Sequence, residues 1–473
     1  MADEPIDLGR PQSVHIIGIG GAGMSAIAGV LASMGHHVTG SDLKASAAFD
    51  RLASEGVTVT VGHDAANLGA DVGLVARSTA IPDRNVEVVA AQERGVPVLS
   101  RADILSAIAA TRRTVAVAGT HGKTTTSSML ALVLVRAGLH PSFIIGGDVN
   151  EIGTGAVWDS GDWFVIEADE SDGTFLRLPR RAAVVTNVEP DHLEHWGGFD
   201  ALRAAFRSFL AETDGPTVVC ADDELAWDLS RDLGAVSYGL EDRADYQMRA
   251  VERSRSGTSF ELWHEGANLG TLSLPIAGMH NARNACAAAV TALLLGASFD
   301  ACQSALATFA GVARRFQYRG EANGITFIDD YAHLPTEVEA ALAAAADGHW
   351  ARTVCVFQPH RYSRTASLWP TFADAFSAAD VLVVTDIYAS GEAPRPGISG
   401  RLIVQAVLDA HPWRRVVYLP HRADLVSFLA SELRLGDLCL TLGAGDLTTL
   451  PDAILSRLAD TPLHLPSGTG QPD

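Results

Sequence analysis

Short apolar runs rich in β-branched residues alternate along the chain with longer stretches in which apolar residues recur every three or four positions. The runs have the length of strands and the stretches have the period of helices, so the pattern predicts strands and helices in alternation. Such alternation is typical of parallel sheets covered by helices. The first runs lie at residues 14–17, 38–40, 57–59, 72–75 and 96–99.

A glycine-rich turn follows the first predicted strand. It reads Gly18-Ile19-Gly20-Gly21-Ala22-Gly23 and opens a helical pattern. This spacing places backbone N–H groups and a helix N-terminus around a diphosphate. The second predicted strand ends at Ser41-Asp42, about twenty residues further on, where an acidic side chain reads a ribose hydroxyl. The residues predict a nucleotide site and leave NAD and another nucleotide, such as a UDP-sugar, equally open.

A second glycine-rich turn, Gly119-Thr120-His121-Gly122-Lys123-Thr124-Thr125, lies between an apolar run and a helical pattern. Its glycines let N–H groups turn toward an anion, its lysine neutralises a terminal phosphate, and a hydroxyl is placed for Mg²⁺. Only two residues separate the glycines, where the standard loop has four. The chain has two lysines, Lys44 and Lys123. Because a compact ammonium suits this loop better than a planar guanidinium, the turn is predicted to bind phosphates.

The pattern breaks twice, and the breaks divide the chain into three parts. A polar joint at residues 111–113 follows the first set of strands, and Gly311 precedes a third set. A chain of this length also corresponds to about three domains. We therefore predict an α/β protein with a Rossmann-like N-terminal domain at residues 1–110, a central P-loop ATPase-like domain at 111–311 and a C-terminal Rossmann-like domain at 312–473.

Acidic and histidine side chains follow two predicted strands of the central domain. One strand ends at Glu167-Ala168-Asp169-Glu170, and the next ends before Glu189-Pro190-Asp191-His192. The carboxyl ends of parallel strands form the ligand-facing edge of a sheet. Several unpaired carboxylates in one crevice would repel one another, so the pattern favours a cation such as Mg²⁺ beside a triphosphate.

The remaining polar clusters each have two interpretations. Asn281 opens an alanine-rich helical pattern, where it is either a helix N-cap or a partner for an adenine edge. Arg361 and Arg364 lie three residues apart after a predicted strand. On one helical face they could hold a carboxylate between them, or they are ordinary surface arginines.

Composition limits the possible partners. The net charge is −21, and no basic stripe appears, so nucleic-acid binding is not expected. The five cysteines are scattered without a Cys-x-x-Cys pair, which is typical of reduced thiols in a cytosolic protein. The N-terminus has no apolar signal segment, and no apolar run is long enough to cross a bilayer. We expect a cytoplasmic protein without a membrane partner.

Six motifs together resemble those of the Mur ligase family. The resemblance extends over roughly residues 14–458, and the short glycine loop is the form for which this family is known. The motifs are Gly-Ile-Gly-Gly-Ala-Gly-Met-Ser at 18–25, Gly-Thr-His-Gly-Lys-Thr-Thr-Thr at 119–126, Glu-Ala-Asp-Glu-Ser-Asp at 167–172, Asp-Asp-Tyr-Ala-His at 329–333, Phe-Gln-Pro-His-Arg-Tyr-Ser-Arg-Thr at 357–365 and Tyr-Ala-Ser-Gly-Glu at 388–392.

The resemblance implies an ATP- and Mg²⁺-dependent ligase of the alanine-adding branch, which joins UDP-N-acetylmuramate to L-alanine through an acyl phosphate. The first domain would bind the UDP-sugar rather than NAD, the second ATP, and the third would bring the amino acid. Monomer and homodimer both remain open. The implied UDP-sugar residues are Gly18, Gly20, Gly21, Ala22, Gly23, Ser41 and Asp42.

The resemblance also assigns roles at the reaction centre. Lys123 would hold the β- and γ-phosphates, Thr124 and Glu167 would bind one Mg²⁺, and His192 would bind a second. The implied ATP-binding residues are Gly119, Thr120, His121, Gly122, Lys123, Thr124, Thr125, Asn281, Asn284, Arg315 and Asp330, the last near the ribose. The implied alanine pocket consists of Tyr331, His333, Arg361 and Arg364; the last three, with Lys123, Glu167 and His192, form the implied catalytic set.

Two departures from the family pattern and three alternative functions accompany these assignments. Leu334 stands where the family usually has a second histidine, and no lysine follows Lys123 that could be carbamylated. One alternative is the related ligase that attaches a recovered tripeptide to the same sugar nucleotide. The others are a nucleotide-regulated binding protein without turnover and a dehydrogenase.

Overall fold

The computed structural model describes residues 6–459 of the protein. In this part of the chain, sheets of five, ten and six strands follow one another, and helices connect most of their parallel strands. The strands alternate with helices as the hydrophobic pattern predicted, which confirms the α/β class. No helix among residues 6–459 combines the length and the apolar character that a bilayer crossing requires.

The N-terminal sheet is fully parallel, and its order is that of a Rossmann-like fold. Its strands are β1 (Ser13–Ile17), β2 (His37–Asp42), β3 (Thr58–Val61), β4 (Leu74–Arg77) and β5 (Val98–Ser100), and its helices are α1 (Ala22–Ser33), α2 (Ala48–Ser54), α3 (Val86–Glu93) and α4 (Arg101–Ala110). The spatial order is β3-β2-β1-β4-β5. The order reverses beside β1, so the ligand crevice is expected where β1 ends.

The central sheet has ten strands. They are β6 (Arg113–Ala118), β7 (Ser142–Val149), β8 (Thr154–Val157), β9 (Trp163–Glu167), β10 (Ala182–Val185), β11 (Thr217–Cys220), β12 (Val236–Gly239), β13 (Tyr246–Ser254), β14 (Gly257–His264) and β15 (Ala267–Leu274). The helices are α5 (Lys123–Arg136), α6 (Leu193–Trp196), α7 (Phe199–Ala211), α8 (Glu224–Ser230), α9 (Met279–Leu294) and α10 (Phe299–Leu306). The order β15-β14-β13-β12-β11-β10-β6-β9-β7-β8 places β6 between β10 and β9, parallel to both.

The C-terminal sheet has one antiparallel edge strand on an otherwise parallel sheet. Its strands are β16 (Gln317–Ala322), β17 (Ile325–Asp330), β18 (Arg352–Phe357), β19 (Val381–Val384), β20 (Val416–Tyr418) and β21 (Asp437–Leu442), and its helices are α11 (Pro335–Ala346), α12 (Tyr362–Leu368), α13 (Arg401–Ala410), α14 (Arg422–Glu432) and α15 (Leu450–Ala459). The order is β16-β17-β21-β18-β19-β20, and only β16 runs against its neighbour.

The C-terminal sheet is buried on both faces because its central strands each contain a continuous apolar run. In β18, Cys355 and Phe357 belong to one hydrophobic cluster, whereas Val354 and Val356 belong to the cluster on the other side. Side chains alternate between faces along a strand, so a continuous apolar run fills two cores at once. The five cysteines are all buried and free of disulfides.

The chain divides into two compact units. The first unit contains the chain up to Val251, together with Ser259–Leu274 and Ala282–Ala310. The second contains Glu252–Thr258, Pro275–Asn281 and the chain from Gly311 onward. The domain bounds predicted at residues 110 and 311 stay predictions.

Candidate functional site

The end of β2 holds the first glycine turn in place. The N–H groups of Gly18 and Ile19 donate to the Ser41 carbonyl at 2.8 and 3.1 Å, and the N–H of Gly20 donates to Asp42 Oδ2 at 2.9 Å. Asp42, predicted to read a ribose hydroxyl, therefore also fixes the turn. The turn then leads into α1 through the three remaining predicted residues, Gly21, Ala22 and Gly23.

Arg101 places a cation beside this turn. A Cβ atom built on Gly23 would lie 3.1 Å from Arg101 Nε, so the guanidinium lies against the first turn of α1. Arg101 Nε is buried without a hydrogen-bond partner among the described residues. No motif pointed to this neighbour, because Arg101 begins α4, far along the chain from the turn.

The buried carboxylate of Glu87 stabilises the end of β2, which holds the turn. Ser41 is fully buried and its hydroxyl donates to Glu87 at 2.5 Å. The side chain of Asn67 and the N–H of Asp64 donate to the same carboxylate at 2.6 and 3.1 Å. Burial alone would raise the pKa of Glu87, but the neighbouring His15 ring and these hydrogen bonds lower it to about 2. Ser41 thus stabilises the end of β2 through its hydroxyl, and its contact with the UDP-sugar stays a prediction.

Replacing Glu87 with Gln should destabilise the N-terminal domain in a pH-dependent way. The pKa of Glu87 lies below its ordinary value of 4.5, so ionisation stabilises the fold above that pH and the contribution disappears as pH falls toward about 2. The shift corresponds to about 3 kcal/mol. His15 and His63 also face this carboxylate, at 3.6 and 3.4 Å.

The measurement for Glu87 is the free energy of opening of the β1 and β2 amides, obtained by hydrogen exchange in urea between pH 7 and pH 3. We expect the difference between wild type and Glu87→Gln to shrink below about pH 4.5. A difference of the same size at pH 7 and pH 3 would contradict the assignment of stability to the ionised carboxylate.

The second glycine turn requires its two glycines. Gly119 has φ +132°, and a Cβ atom there would collide with the Thr186 hydroxyl. Gly122 has φ +83°, and a Cβ atom there would lie 2.5 Å from Asn284 Oδ1. Residues with side chains rarely adopt either φ value, and no space is left for a Cβ atom beside Thr186 after β10 or Asn284 of α9. Both reasons favour glycine at each position.

Residues after β10 anchor the loop between these glycines. Asn187 Oδ1 accepts the N–H of His121 at 2.8 Å, and Asn187 Nδ2 donates to the His121 carbonyl at 3.0 Å. The N–H of Thr120 donates to the Asn187 carbonyl at 3.1 Å, and the N–H of Glu189 donates to the Thr120 hydroxyl at 2.8 Å. His121 Nε2 lies 3.2 Å from Glu189 Oε2. These hydrogen bonds hold the short loop in its conformation.

Lys123 begins α5 and its ammonium is enclosed by oxygens. Nζ lies 2.6 Å from the Gly119 carbonyl, 3.2 Å from that of Thr120, and 3.0 and 2.8 Å from the two Glu170 oxygens. Burial alone would lower the pKa of Lys123, but the carboxylates, Glu170 first, outweigh it and raise the pKa. Lys123 therefore remains charged at neutral pH.

The predicted metal-ligating residues belong to β9, to α5 and to the segment after β10. Glu167 ends β9 and is paired with Val117 of β6, so it lies one strand away from the glycine turn. Its Oε1 accepts the N–H of Gly146 at 2.8 Å. Thr124 lies in the first turn of α5. His192 has φ +52°, and its Nε2 lies 3.2 Å from Asp191 Oδ2.

The side-chain oxygens of Thr124 and Glu167 suit Mg²⁺ better than a cation whose ligands all come from the protein. Among residues 6–459 no group of three or more histidine, cysteine or acidic side chains is arranged to hold a metal ion. Mg²⁺ usually takes one or two protein oxygens and completes its shell with phosphates and water. The hydroxyl of Thr124 and the carboxylate of Glu167 are of this kind, and the ion would contribute charge neutralisation.

The two asparagines of α9 have different surroundings. Asn281 is the third residue of the helix, and its Nδ2 donates to the Ala277 carbonyl at 2.7 Å. It lies inside the helix, so the N-cap interpretation is wrong. Asn284 packs against Gly122 of the phosphate loop and therefore lies beside the predicted triphosphate position.

In the C-terminal unit, the carboxylate of Asp330 accepts hydrogen bonds from nearby backbone N–H groups. Its carboxylate accepts the N–H groups of Phe316 and Ala332 at 2.6 and 2.7 Å, and burial raises its pKa to about 6. The guanidinium of Arg315 lies 5.0 Å from the centre of the Tyr331 ring. Asp330 thus fixes the segment that carries Arg315, in addition to any contact with a ribose.

The residues predicted to form an alanine pocket gather around His360. The His333 ring centre lies 5.5 Å from those of Tyr331 and His360, and Arg364 Nη1 lies 3.0 Å from His360 Nδ1. Arg361 immediately precedes α12, with φ +65°, and its Nε is buried without a hydrogen-bond partner in the described chain. The two arginines therefore do not form a simple pair on one helical face, and His360 is a neighbour that the sequence did not single out.

Leu334 has a structural role. Its side chain is buried, and its N–H and that of His333 donate to the Glu337 carboxylate at 3.1 and 2.9 Å. These bonds satisfy backbone groups at the start of α11. A polar side chain is thus not required here to hold the turn after His333.

Comparisons with known proteins identify the family. Three family models match the chain in order: "Mur ligase family, catalytic domain" at residues 13–113, "Mur ligase middle domain" at 117–292 and "Mur ligase, glutamate ligase domain" at 314–445.

Whole-length relatives and solved structures agree with these matches. The chain is 44% identical to the UDP-N-acetylmuramate–L-alanine ligase of Pelotomaculum thermopropionicum, over 95% of this chain and 98% of that protein. It is 43% identical to the enzyme of the same name from Geobacter sulfurreducens, over 96% and 99%.

Among solved structures, it is similar to the UDP-N-acetylmuramate–alanine ligase of Thermotoga maritima, with a TM-score of 0.78, 29% identity and coverage of 95% and 100%. A murein peptide ligase of Psychrobacter arcticus has a TM-score of 0.67, 25% identity and coverage of 96% and 100%. The resemblance of the six motifs is confirmed by three domain models in the same order and by relatives that align over almost the whole chain, and the protein belongs to the Mur ligase family.

Proposed function

We propose that this protein is an ATP-dependent ligase that forms an amide bond between the lactyl carboxylate of UDP-N-acetylmuramate and L-alanine. The observation that carries the proposal is the 44% identity, over 95% of the chain, to a protein named for this reaction. The glycine loop, with Lys123 as its charged residue, supports the use of a nucleoside triphosphate. The reaction belongs to peptidoglycan precursor synthesis, on which cell shape and division depend, and we assign it to the cytoplasm.

The first step transfers the γ-phosphoryl group to the lactyl carboxylate and releases ADP. It brings two anions together, which repel by roughly 4 kcal/mol at 4 Å in a medium of effective dielectric 20. In a protein with a net charge of −21, local cations must offset this repulsion. Lys123 provides one at the phosphate loop, and Thr124, Glu167 and His192 are the residues that would hold Mg²⁺.

The second step joins the amine of alanine to the acyl carbon and releases phosphate. The alanine carboxylate needs a cation and its amine needs a free lone pair. Arg361 and Arg364 lie beside His333 and His360 in the C-terminal unit. A guanidinium pairs well with a carboxylate, so we assign the two arginines to the alanine carboxylate and Tyr331 and His333 to the pocket wall.

The N-terminal domain would bind the UDP part of the sugar nucleotide. The glycine turn after β1 lies where ligands bind in Rossmann-like sheets, and Asp42 fixes it. Arg101 lies beside the same turn and would supply positive charge to the diphosphate. This use of the turn replaces the NAD alternative, since the relatives are ligases of a UDP-sugar rather than dehydrogenases.

A murein peptide ligase is the second candidate, because a structure of that name covers 96% of this chain. It has the lower TM-score and identity of the two neighbours. The test is release of phosphate from ATP in the presence of UDP-N-acetylmuramate, with L-alanine or with a murein tripeptide. We expect stoichiometric phosphate and amide only with alanine. Turnover with the tripeptide alone would select the second candidate, and no turnover with either would refute both.

A further inference from the structure

Glu170 is a buried carboxylate that none of the roles above uses. It is 1% exposed, follows β9 by three residues, and both of its oxygens contact Lys123 Nζ. Its own carbonyl accepts the indole N–H of Trp196 at 3.0 Å, which fixes its backbone. The Trp196 hydrogen bond thus holds the Glu170 backbone, while the side chain reaches the ammonium of Lys123.

The ammonium of Lys123 has no donor left for a phosphate. An ammonium carries three N–H groups. Four oxygens already lie within hydrogen-bond distance of Nζ, two from loop carbonyls and two from Glu170. A phosphate oxygen that binds Lys123 must therefore replace at least one of them.

The loop carbonyls are the harder pair to displace. They belong to Gly119 and Thr120, and the Thr120 N–H is held by the Asn187 carbonyl at 3.1 Å. The next N–H, that of His121, is held by Asn187 Oδ1 at 2.8 Å. Moving either carbonyl would break these anchors, whereas the Glu170 carboxylate can leave by side-chain rotation.

We propose that Glu170 competes with the nucleotide phosphates for Lys123 and holds the ammonium in place when no nucleotide is bound. The proposal rests on the proposed function, in which this loop binds ATP. The Glu170 carboxylate neutralises Lys123 inside a buried site and releases the ammonium when phosphate oxygens bind. Nucleotide affinity is then lower than the loop alone would give, because each binding event must break a buried ion pair.

Replacing Glu170 with Gln should therefore tighten nucleotide binding. The amide keeps the shape of the side chain but forms only a neutral acceptor for the ammonium, and hydrogen bonds to charged partners are about twice as strong as neutral ones. We expect the dissociation constant of ADP to fall by about tenfold. A residue that served only to stabilise the fold would leave this constant unchanged or raise it.

Asp172→Asn is the matched control. Asp172 is an exposed carboxylate of the same segment, and its Oδ1 accepts the N–H of Thr174 at 2.9 Å. We expect this variant to bind ADP within about twofold of wild type, because an exposed charge is largely screened by salt. Equal tightening in both variants would show general charge repulsion and would overturn the competition.

Glu170→Asp separates contact from charge and serves if the Gln variant does not fold. The shorter side chain keeps the negative charge but draws the carboxylate away from Nζ, so we again expect tighter ADP binding. The measurement is isothermal titration of ADP into the full-length protein, with Lys123→Ala alongside. If wild type binds ADP, Lys123→Ala weakens it and both Glu170 variants match wild type, the competition is wrong and the loop assignment stands. If Lys123→Ala also binds ADP as wild type does, the proposed function of the loop fails first.

Discussion

Replacing Lys123 with Ala is expected to reduce phosphate release severely while leaving the binding of UDP-N-acetylmuramate intact. In the proposed function the ammonium is the cation that neutralises the transferred group, and no second lysine lies in the central domain. Loss of one preorganised charge in such a site reduces turnover by about a thousandfold. The sugar nucleotide would bind at the turn after β1, which belongs to a separate sheet. The measurements are phosphate release and titration with UDP-N-acetylmuramate.

The chain offers an unusually clean control for this experiment. Lys44 is the only other lysine and is exposed, so Lys44→Ala removes the same kind of charge from the same protein. We expect Lys44→Ala to release phosphate at close to the wild-type rate. Equal loss of sugar-nucleotide binding and phosphate release in Lys123→Ala would refute the division of labour between the two glycine turns.

Much of the central site follows from pattern and topology. The sequence predicts that the strand ending at Glu167 and the strand ending before residue 187 both reach the edge where the phosphate loop lies. The pairing of β6 with β9 on one side and β10 on the other confirms this. Parallel strands joined by crossovers bring their carboxyl ends to one edge, so residue type and strand order suffice for this part.

The contacts that support the site were not predictable in the same way. Asn187 accepts an N–H of the short loop, the carboxylate of Glu170 pairs with the ammonium of Lys123, and that of Glu87 accepts the hydroxyl of Ser41. Each pairs residues that are more than forty positions apart, and which acidic or amide side chain makes the contact depends on side-chain packing rather than on period or spacing. The hairpin of β7 and β8 was missed as well, because its glycines at 146 and 147 interrupt the apolar pattern.

These contacts show how the protein accommodates buried carboxylates at a net charge of −21. Two buried carboxylates are each compensated: Glu170 is paired with Lys123 in the central domain, and Glu87 accepts several hydrogen bonds in the N-terminal domain. Glu167 differs, since one oxygen takes the N–H of Gly146 and the carboxylate is otherwise placed near the end of the phosphate loop. Of these three carboxylates, Glu167 is the one whose charge is best explained by a bound cation.

Replacing Glu167 with Gln is therefore expected to raise the Mg²⁺ concentration that gives half-maximal phosphate release by about 10- to 100-fold. The amide oxygen can still accept the N–H of Gly146, so the local structure should persist and only the charge is lost. Asp172→Asn is the matched control, because Asp172 lies in the same segment and accepts the N–H of Thr174 at 2.9 Å. Its Mg²⁺ requirement should equal that of wild type. If Glu167→Gln needed no more Mg²⁺ than wild type does, the carboxylate would not be a metal ligand, and the cation would have to be held by the phosphates and Thr124 instead.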